Sequence, residues 1–238
     1  MSAERVVASA LARRLLPLER QRRYWLARVP DGPLHDYYST PFPDRSLDVA
    51  QVTFVALDFE TTALDPERAE ILSLGFVPIR ALHVALAESV HRFVRPSGAV
   101  PTESAIVHGI LDDRAHRGEA LRDTLPTLLR ALSGCVLVAH HAGIEHRMLD
   151  RACRTIYGTP FVAPVVDTLA LEKRTLERGG QPIVGNALRL GALRERYNLP
   201  RYRAHDALVD AIATAELLLA QIAYRSTRRR PTFGELSC

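Results

Sequence analysis

The sequence predicts an α/β domain built on a mixed sheet, an antiparallel meander followed by parallel strands, with helices on both faces. Three observations predict it. Between residues 52 and 94, three apolar, β-rich runs follow one another with short links, as strands joined in a meander do. From residue 121 onward, helix periods alternate with short apolar runs, which favours right-handed parallel crossovers. The composition is that of an ordinary globular chain: of 238 residues, 47% are hydrophobic and 24% charged, enough to bury a core without staples.

The elements follow in order. Residues 1–49 read as an N-terminal extension. Its first part alternates arginines with the apolar clusters Val6, Val7, Leu11, Leu15, Leu16 and Tyr24, Trp25, Leu26, predicting a helix or two interrupted at Pro17. Residues 29–48, with Pro30, Gly32, Pro33, Pro41 and Pro43, predict a linker or a strap over a domain surface. The main domain spans 50–224. Strands are expected at 52–59, 70–79 and 83–94, the last ending in the turn Pro96-Ser97-Gly98. A helix at 121–132 precedes a strand at 135–139; a helix at 144–157 precedes a short strand at 161–166. Helices at 168–177, 186–197 and 206–224 complete it, and a basic tail covers 225–238.

Charge is unevenly spread. The net charge is +4, yet residues 1–28 hold seven Arg against two Glu and residues 222–238 four Arg against one Glu, leaving the middle acidic by four. Basic ends can attract a polyanion such as nucleic acid; because Lys173 is the only lysine, the same pattern also follows from a bias toward arginine. The cysteines Cys135, Cys153 and Cys238 are widely spaced with no CxxC pair, which argues against a zinc site and for a reducing, cytoplasmic setting. With no run of about 18 apolar residues and no secretory signal pattern, no membrane association is expected.

A few acids stand in the wrong places for solvated charges. Asp58 and Glu60 end an apolar strand at i and i+2, so they share a face roughly 6.6 Å apart. Such a pair is either a strand end reaching solvent or an oxygen site for a hard divalent ion such as Mg2+ or Mn2+. Asp210 shares a helical stripe with Ala207, Ala211, Thr214 and Leu218, where an unpaired charge is costly. His205 lies just before that helix and can turn back toward what Asp210 faces. Glu145 sits on the apolar stripe of Met148, Leu149, Ala152 and Cys153; the helix dipole favours an acid on a first turn but does not explain its place on the buried side. Asp167 reads as a helix N-cap.

Taken as an ordered set, these segments resemble the DEDDh family of 3′-5′ exonucleases, which includes the proofreading epsilon subunit of bacterial DNA polymerase III and ribonuclease T. The first motif is Asp58-Phe59-Glu60-Thr61-Thr62. The second, usually H-N-A-x-F-D-x-x-F-L, stands as His140-His141-Ala142-Gly143-Ile144-Glu145-His146-Arg147-Met148-Leu149. The third, H-x-A-x-x-D, is His205-Asp206-Ala207-Leu208-Val209-Asp210. Val107-His108-Gly109-Ile110 and Val166-Asp167-Thr168-Leu169 are lesser similarities, and the likeness covers about residues 50–224. Two positions depart from the pattern: Glu145 replaces the metal-site Asp of the second motif, and Ala63 replaces the usual Gly after Thr62.

The resemblance implies a ribonuclease H-like fold and a two-metal phosphodiester hydrolase. Two Mg2+ or Mn2+ ions about 3.5–4 Å apart activate water and stabilise the leaving oxygen. Asp58, Glu60, Glu145 and Asp210 would hold them, with His205 as general base. Thr61, Thr62, Leu64 and His108 would lie around the terminal nucleotide. The expected product is a nucleoside 5′-monophosphate, released from the 3′ end of single-stranded or frayed DNA in replication or repair. The alternatives are a 3′-5′ exoribonuclease and a catalytically impaired nucleic-acid-binding module, the latter favoured by Glu145. Residues 1–49 are a candidate protein-partner site, with Trp25 and Tyr24 either its anchor or packed on their own domain; oligomeric state is left open.

Overall fold

Strand β1 (Phe54–Thr61) is the seam of a six-stranded sheet in the computed structural model, which describes residues 16–63, 65–227 and 229–237. On one side it pairs antiparallel with β2 (Ile71–Arg80); on the other it pairs parallel with β5 (Val136–Ala139), which pairs parallel with β6 (Val165–Asp167). β3 (His83–Val84) and β4 (Val90–Phe93) both lie antiparallel against the outer edge of β2. The expected meander and parallel half are therefore both present. The expected third strand is broken: Ala81 and Leu82 adopt positive φ (47° and 62°), and a 3-10 turn at Leu86–Glu88 separates β3 from β4. Pro78 falls between the stretches of β2 that pair with β4 and with β3. Its carbonyl accepts from Ala85 N on that side, so its missing N–H falls where β4 has already ended.

Strand periodicity sorts the core into two layers. Val55, Leu57 and Phe59 point one way, into a layer with Leu125, Leu128 and Leu129 of α5 (Leu121–Leu132) and Met148, Leu149 and Ala152 of α6 (Gly143–Tyr157). Phe54 and Ala56 point the other way, beneath Leu171 of α7 (Thr168–Arg178) and Ala215, Leu218 and Ile222 of α9 (Ala207–Arg225). Asp58 and Glu60 continue this second row, so the same period that buries Phe54 and Ala56 aims both acids at the start of α9. Between these elements run α3 (Thr102–His108), α4 (Asp112–His116) and α8 (Leu190–Arg196). The first two are too short to show a helical period in sequence, and α8 begins four residues later than expected. β6 likewise begins only at Val165, after Pro160 and Pro164.

The described parts of both flanks fold onto the domain; the helix expected around Val6, Leu11 and Leu15 lies outside the described residues. α1 (Leu18–Leu26) and α2 (Pro33–Ser39) occupy the segment expected to be a helix followed by a linker or surface strap. Tyr37 and Tyr38 of α2 are fully buried, and their hydroxyls donate to Val162 O (2.9 Å) and Pro160 O (2.6 Å). Trp25 packs against the same layer. At the other end, α10 (Phe233–Leu236) sinks Phe233 and Leu236 into the second layer beside Val49 and Val52. The tail is not a loose basic arm among the described residues: Arg229 pairs with Glu235 and Arg230 with Asp48, at 2.7 and 3.0 Å. One described helix, α9, is long and apolar enough to cross a membrane, but half of it is buried in the middle of the fold, against β1 and β2.

Candidate active site

Three distant segments meet where β1 ends. Glu60, His205 and Asp210 each offer a ligand atom, all within 4.8 Å of one another. Asp58 is half-buried two residues earlier on the same strand and lies within electrostatic reach of Glu145, Asp210, Glu60 and Asp206. Glu145, on the first turn of α6, approaches from the opposite layer to within electrostatic reach of Asp58 and lies outside the Glu60–His205–Asp210 group.

Local structure holds each group in place. Asp206 caps α9, accepting from Leu208 N (3.1 Å) and Val209 N (3.2 Å). His205 stands in the left-handed region (φ 67°), and its N–H donates to Asp210 Oδ2 at 2.8 Å. That bond folds the chain back, so the imidazole joins the acids while remaining exposed. Asp167 does cap its helix, accepting from Leu169 N and Ala170 N; it also accepts from His141 N and Ala142 N at 3.1 Å each, and so fixes the turn that launches α6 and Glu145. His140 is a packing residue, bridging Thr168 Oγ1 and Leu188 O at 2.9 Å each. Asp150, the other acid on α6, is bound to Arg154 and Phe161 N away from the site.

Among the described residues, no arginine or lysine offsets the charge of Asp58, Glu60, Glu145 or Asp210. Burial, followed by repulsion from Asp210 and Asp206, pushes Glu60 up to about 8. Burial pushes Glu145 up to about 8, with Asp167 adding to it. Asp58 is raised well above the usual carboxylate range by burial and then by Glu145, Asp210 and Glu60. Asp210 is raised by burial against the opposing pull of the His205 N–H. Glu60 and Glu145 are only 8% and 5% exposed, and Glu145 Oε2 is buried without a hydrogen-bond partner among the described residues. An orphaned buried oxygen within a set of hard oxygen donors fits a divalent cation: Asp58, Glu60, Glu145 and Asp210 could hold one or more, and binding would supply the missing positive charge.

The expected substrate-side residues divide. His108 faces the Thr61 backbone, and burial, then the nearby His205, lowers its basicity. The Thr61 hydroxyl donates to Ala63 O (2.8 Å), and the Thr62 hydroxyl accepts from Glu70 N (2.9 Å), so both brace the turn after β1. Leu64 lies outside the described residues.

Sequence reasoning missed Gly75. It is the β2 partner of Asp58, and the start of α9 rests directly on it. A Cβ there would lie 2.2 Å from Leu208 N and 2.3 Å from Ala207 C. A glycine inside a strand was the available signal, since it marks close approach of another backbone.

Comparison with known proteins places these features. The RNase_T family model, described as an exonuclease, matches residues 55–218. A PolC-type DNA polymerase III of Thermotoga maritima is 32% identical over 167 residues, 70% of this chain but 12% of that protein. The chain therefore spans about an eighth of the length of that polymerase. The DNA polymerase III epsilon subunit of Treponema pallidum is 28% identical over 175 residues, 74% of this chain and 79% of that one. Among solved structures, the nuclease domain of 3′hExo, a DEDDh family member bound to rAMP, superposes with a TM-score of 0.63 at 16% identity, covering 77% of this chain and 97% of that one. The shared architecture is the mixed sheet with helices on both faces.

Proposed function

This chain belongs to the RNase_T exonuclease family, and we propose that it removes nucleotides from the 3′ end of single-stranded or frayed DNA as 5′-monophosphates, in replication or repair. The observation that carries the reading is the meeting of Glu60, His205 and Asp210 within 4.8 Å, with Asp58 and Glu145 coupled behind them. Relatives named as DNA polymerase III components support DNA over RNA.

Asp58, Glu60, Glu145 and Asp210 are the residues that would hold Mg2+ or Mn2+. Divalent cations in such a site supply Lewis acidity toward the phosphoryl oxygens and lower the pKa of water. Without added positive charge the four acids repel a phosphodiester, so strand binding and cation binding are coupled in this site. His205 takes the proton of the attacking water: its ring is beside Glu60 and Asp210, its backbone is pinned by Asp210, and its exposure lets the proton pass to solvent. His108, kept basic only weakly by its burial, lines the side of the site nearest Thr61 and contributes a neutral polar edge to the terminal nucleotide.

The test is degradation of 5′-labelled DNA and RNA oligonucleotides with Mg2+, with Mn2+ and with chelator. The expected result is a ladder shortening from the 3′ end of DNA, abolished by chelator and nearly abolished in Asp58→Ala and His205→Ala. Faster RNA cleavage would reassign the substrate. A protein that binds the strand but leaves it intact in every metal would refute the catalytic reading.

A further inference from the structure

The mechanism above uses the His205 side chain but leaves unexplained what holds the loop that carries it. Residues 200–204 make no backbone–backbone hydrogen bond among the described residues, and His205 itself has a left-handed φ. A loop of this kind needs anchors at both ends. At its far end the anchor is the His205 N–H on Asp210. At its near end stands Arg194, a guanidinium only 3% exposed on α8, which no step of the chemistry uses.

Every arm of Arg194 is engaged, and the partners lie on two different elements. Nε and one terminal nitrogen donate to Pro200 O at 3.3 and 2.8 Å. That nitrogen also reaches Glu216 Oε2 at 2.7 Å, and the other donates to Ala213 O at 2.7 Å, both on α9. The guanidinium carbon lies 4.4 Å from the centre of the Tyr202 ring, whose hydroxyl donates to Glu216 Oε1 at 2.9 Å. Pro200 and Tyr202 belong to the loop; Ala213 and Glu216 sit on the helix whose first turn carries Asp210. Arg194 thus ties the approach to His205 onto the same rigid body that bears Asp210. Such a planar fork can serve three acceptors at once, which a lysine ammonium at the same place cannot.

We infer that Arg194 is a positioning residue for His205, acting with Tyr202 and Glu216 as a clamp that fixes the imidazole relative to the acids. The inference rests on the exonuclease reading for its kinetic consequence, but its structural consequence stands without it. Freed of the clamp, the loop has the His205–Asp210 bond as its one remaining anchor, and that bond opens more often, so the base spends less time in place. Substrate binding at the acids is unaffected.

The experiment compares the full-length protein with Arg194→Met, Arg194→Lys and Tyr202→Ala. Steady-state kinetics are measured on a DNA oligonucleotide with Mn2+, and amide hydrogen exchange on the metal-free protein. The expected result for Arg194→Met is a fall in kcat of about 10- to 100-fold with KM within about twofold. Exchange should rise at His205 while the core amides of Leu57 and Val138 stay protected. Arg194→Lys should recover only part of kcat. Tyr202 is 42% exposed, so Tyr202→Ala keeps the core intact if Arg194→Met fails to fold; it should show the same pattern in weaker form. Wild-type kcat in a folded Arg194→Met or Tyr202→Ala protein would overturn the inference. So would His205 exchange that rises only in step with Leu57, which would make the clamp a general stabiliser. If the wild-type protein is inert on nucleic acid, the exonuclease reading fails, and the exchange comparison still decides the clamp.

Discussion

Replacing Gly75 with Ala tests whether the spacing between strand and helix sets the activity. The added Cβ would stand 2.2 Å from Leu208 N, whereas ordinary contact begins at 3.4 Å. The first turn of α9 must therefore back away by about 1.2 Å, because the obstructing atoms are backbone and cannot rotate aside. Asp210 rides on that turn and His205, just ahead of it, is bonded to Asp210, while Asp58 and Glu60 stay on β1. A misplacement of about 1 Å between reacting groups costs on the order of 100-fold in rate, equivalent to about 2.7 kcal/mol of barrier. Overpacking of this kind also lowers stability by about 1–3 kcal/mol. Gly234→Ala serves as the comparison: its Cβ would meet Arg45 O at 2.8 Å, in the C-terminal flank far along the chain from the acids. Thermal unfolding and single-turnover cleavage of a DNA oligonucleotide, measured well below each Tm, separate the two effects. Gly75→Ala should lose about 100-fold in rate and Gly234→Ala less than about threefold. A folded Gly75→Ala protein with near-native turnover, or equal losses in both variants, would show that the spacing does not matter.

Other expectations concern the acids. With chelator present, Tm should fall as pH rises from 6.5 to 8: Glu60 and Glu145 hold protons in the folded state up to about 8 but release them near 4.5 when unfolded, so ionising them favours unfolding. Saturating Mn2+ should flatten that slope, and a chelated protein equally stable across the window would contradict the carboxylate crowding. Glu145→Gln keeps the shape and removes the charge, so in chelator at pH 8 it should match or exceed the wild-type Tm while losing at least half of the Mn2+-dependent stabilisation; full stabilisation would remove Glu145 from the cation site. Glu145→Asp should keep or raise turnover, and its loss would mean that the extra methylene is required to reach Asp58.

The seam of the sheet was readable because successive side chains of an apolar strand face opposite layers. Phe54, Ala56, Asp58 and Glu60 share one face, and two acids at the end of an apolar row mark a site as clearly as they mark a strand. Asp210 was readable for the same reason on a helical period. What escaped was whatever depends on another segment's approach. Gly75 looks like a weak strand residue until α9 is laid on it. Arg194 looks like one more surface arginine until Pro200, Ala213 and Glu216 close around it. The segment 29–48 reads from its prolines as a linker or a surface strap, and the choice falls to Tyr37 and Tyr38, whose acceptors lie more than 120 residues away, a contact no local pattern announces.

Those two tyrosines, with Phe233 and Leu236 at the opposite terminus, have a consequence for how the molecule can be divided. The family match stops at residues 55 and 218, and every candidate catalytic side chain lies inside those limits. Cutting there would leave the chemistry intact on paper, with water standing against Phe161 on one side and the second layer stripped of Phe54, Phe233 and Leu236 on the other. The smallest piece that carries the reaction is not the smallest piece that keeps its interior dry.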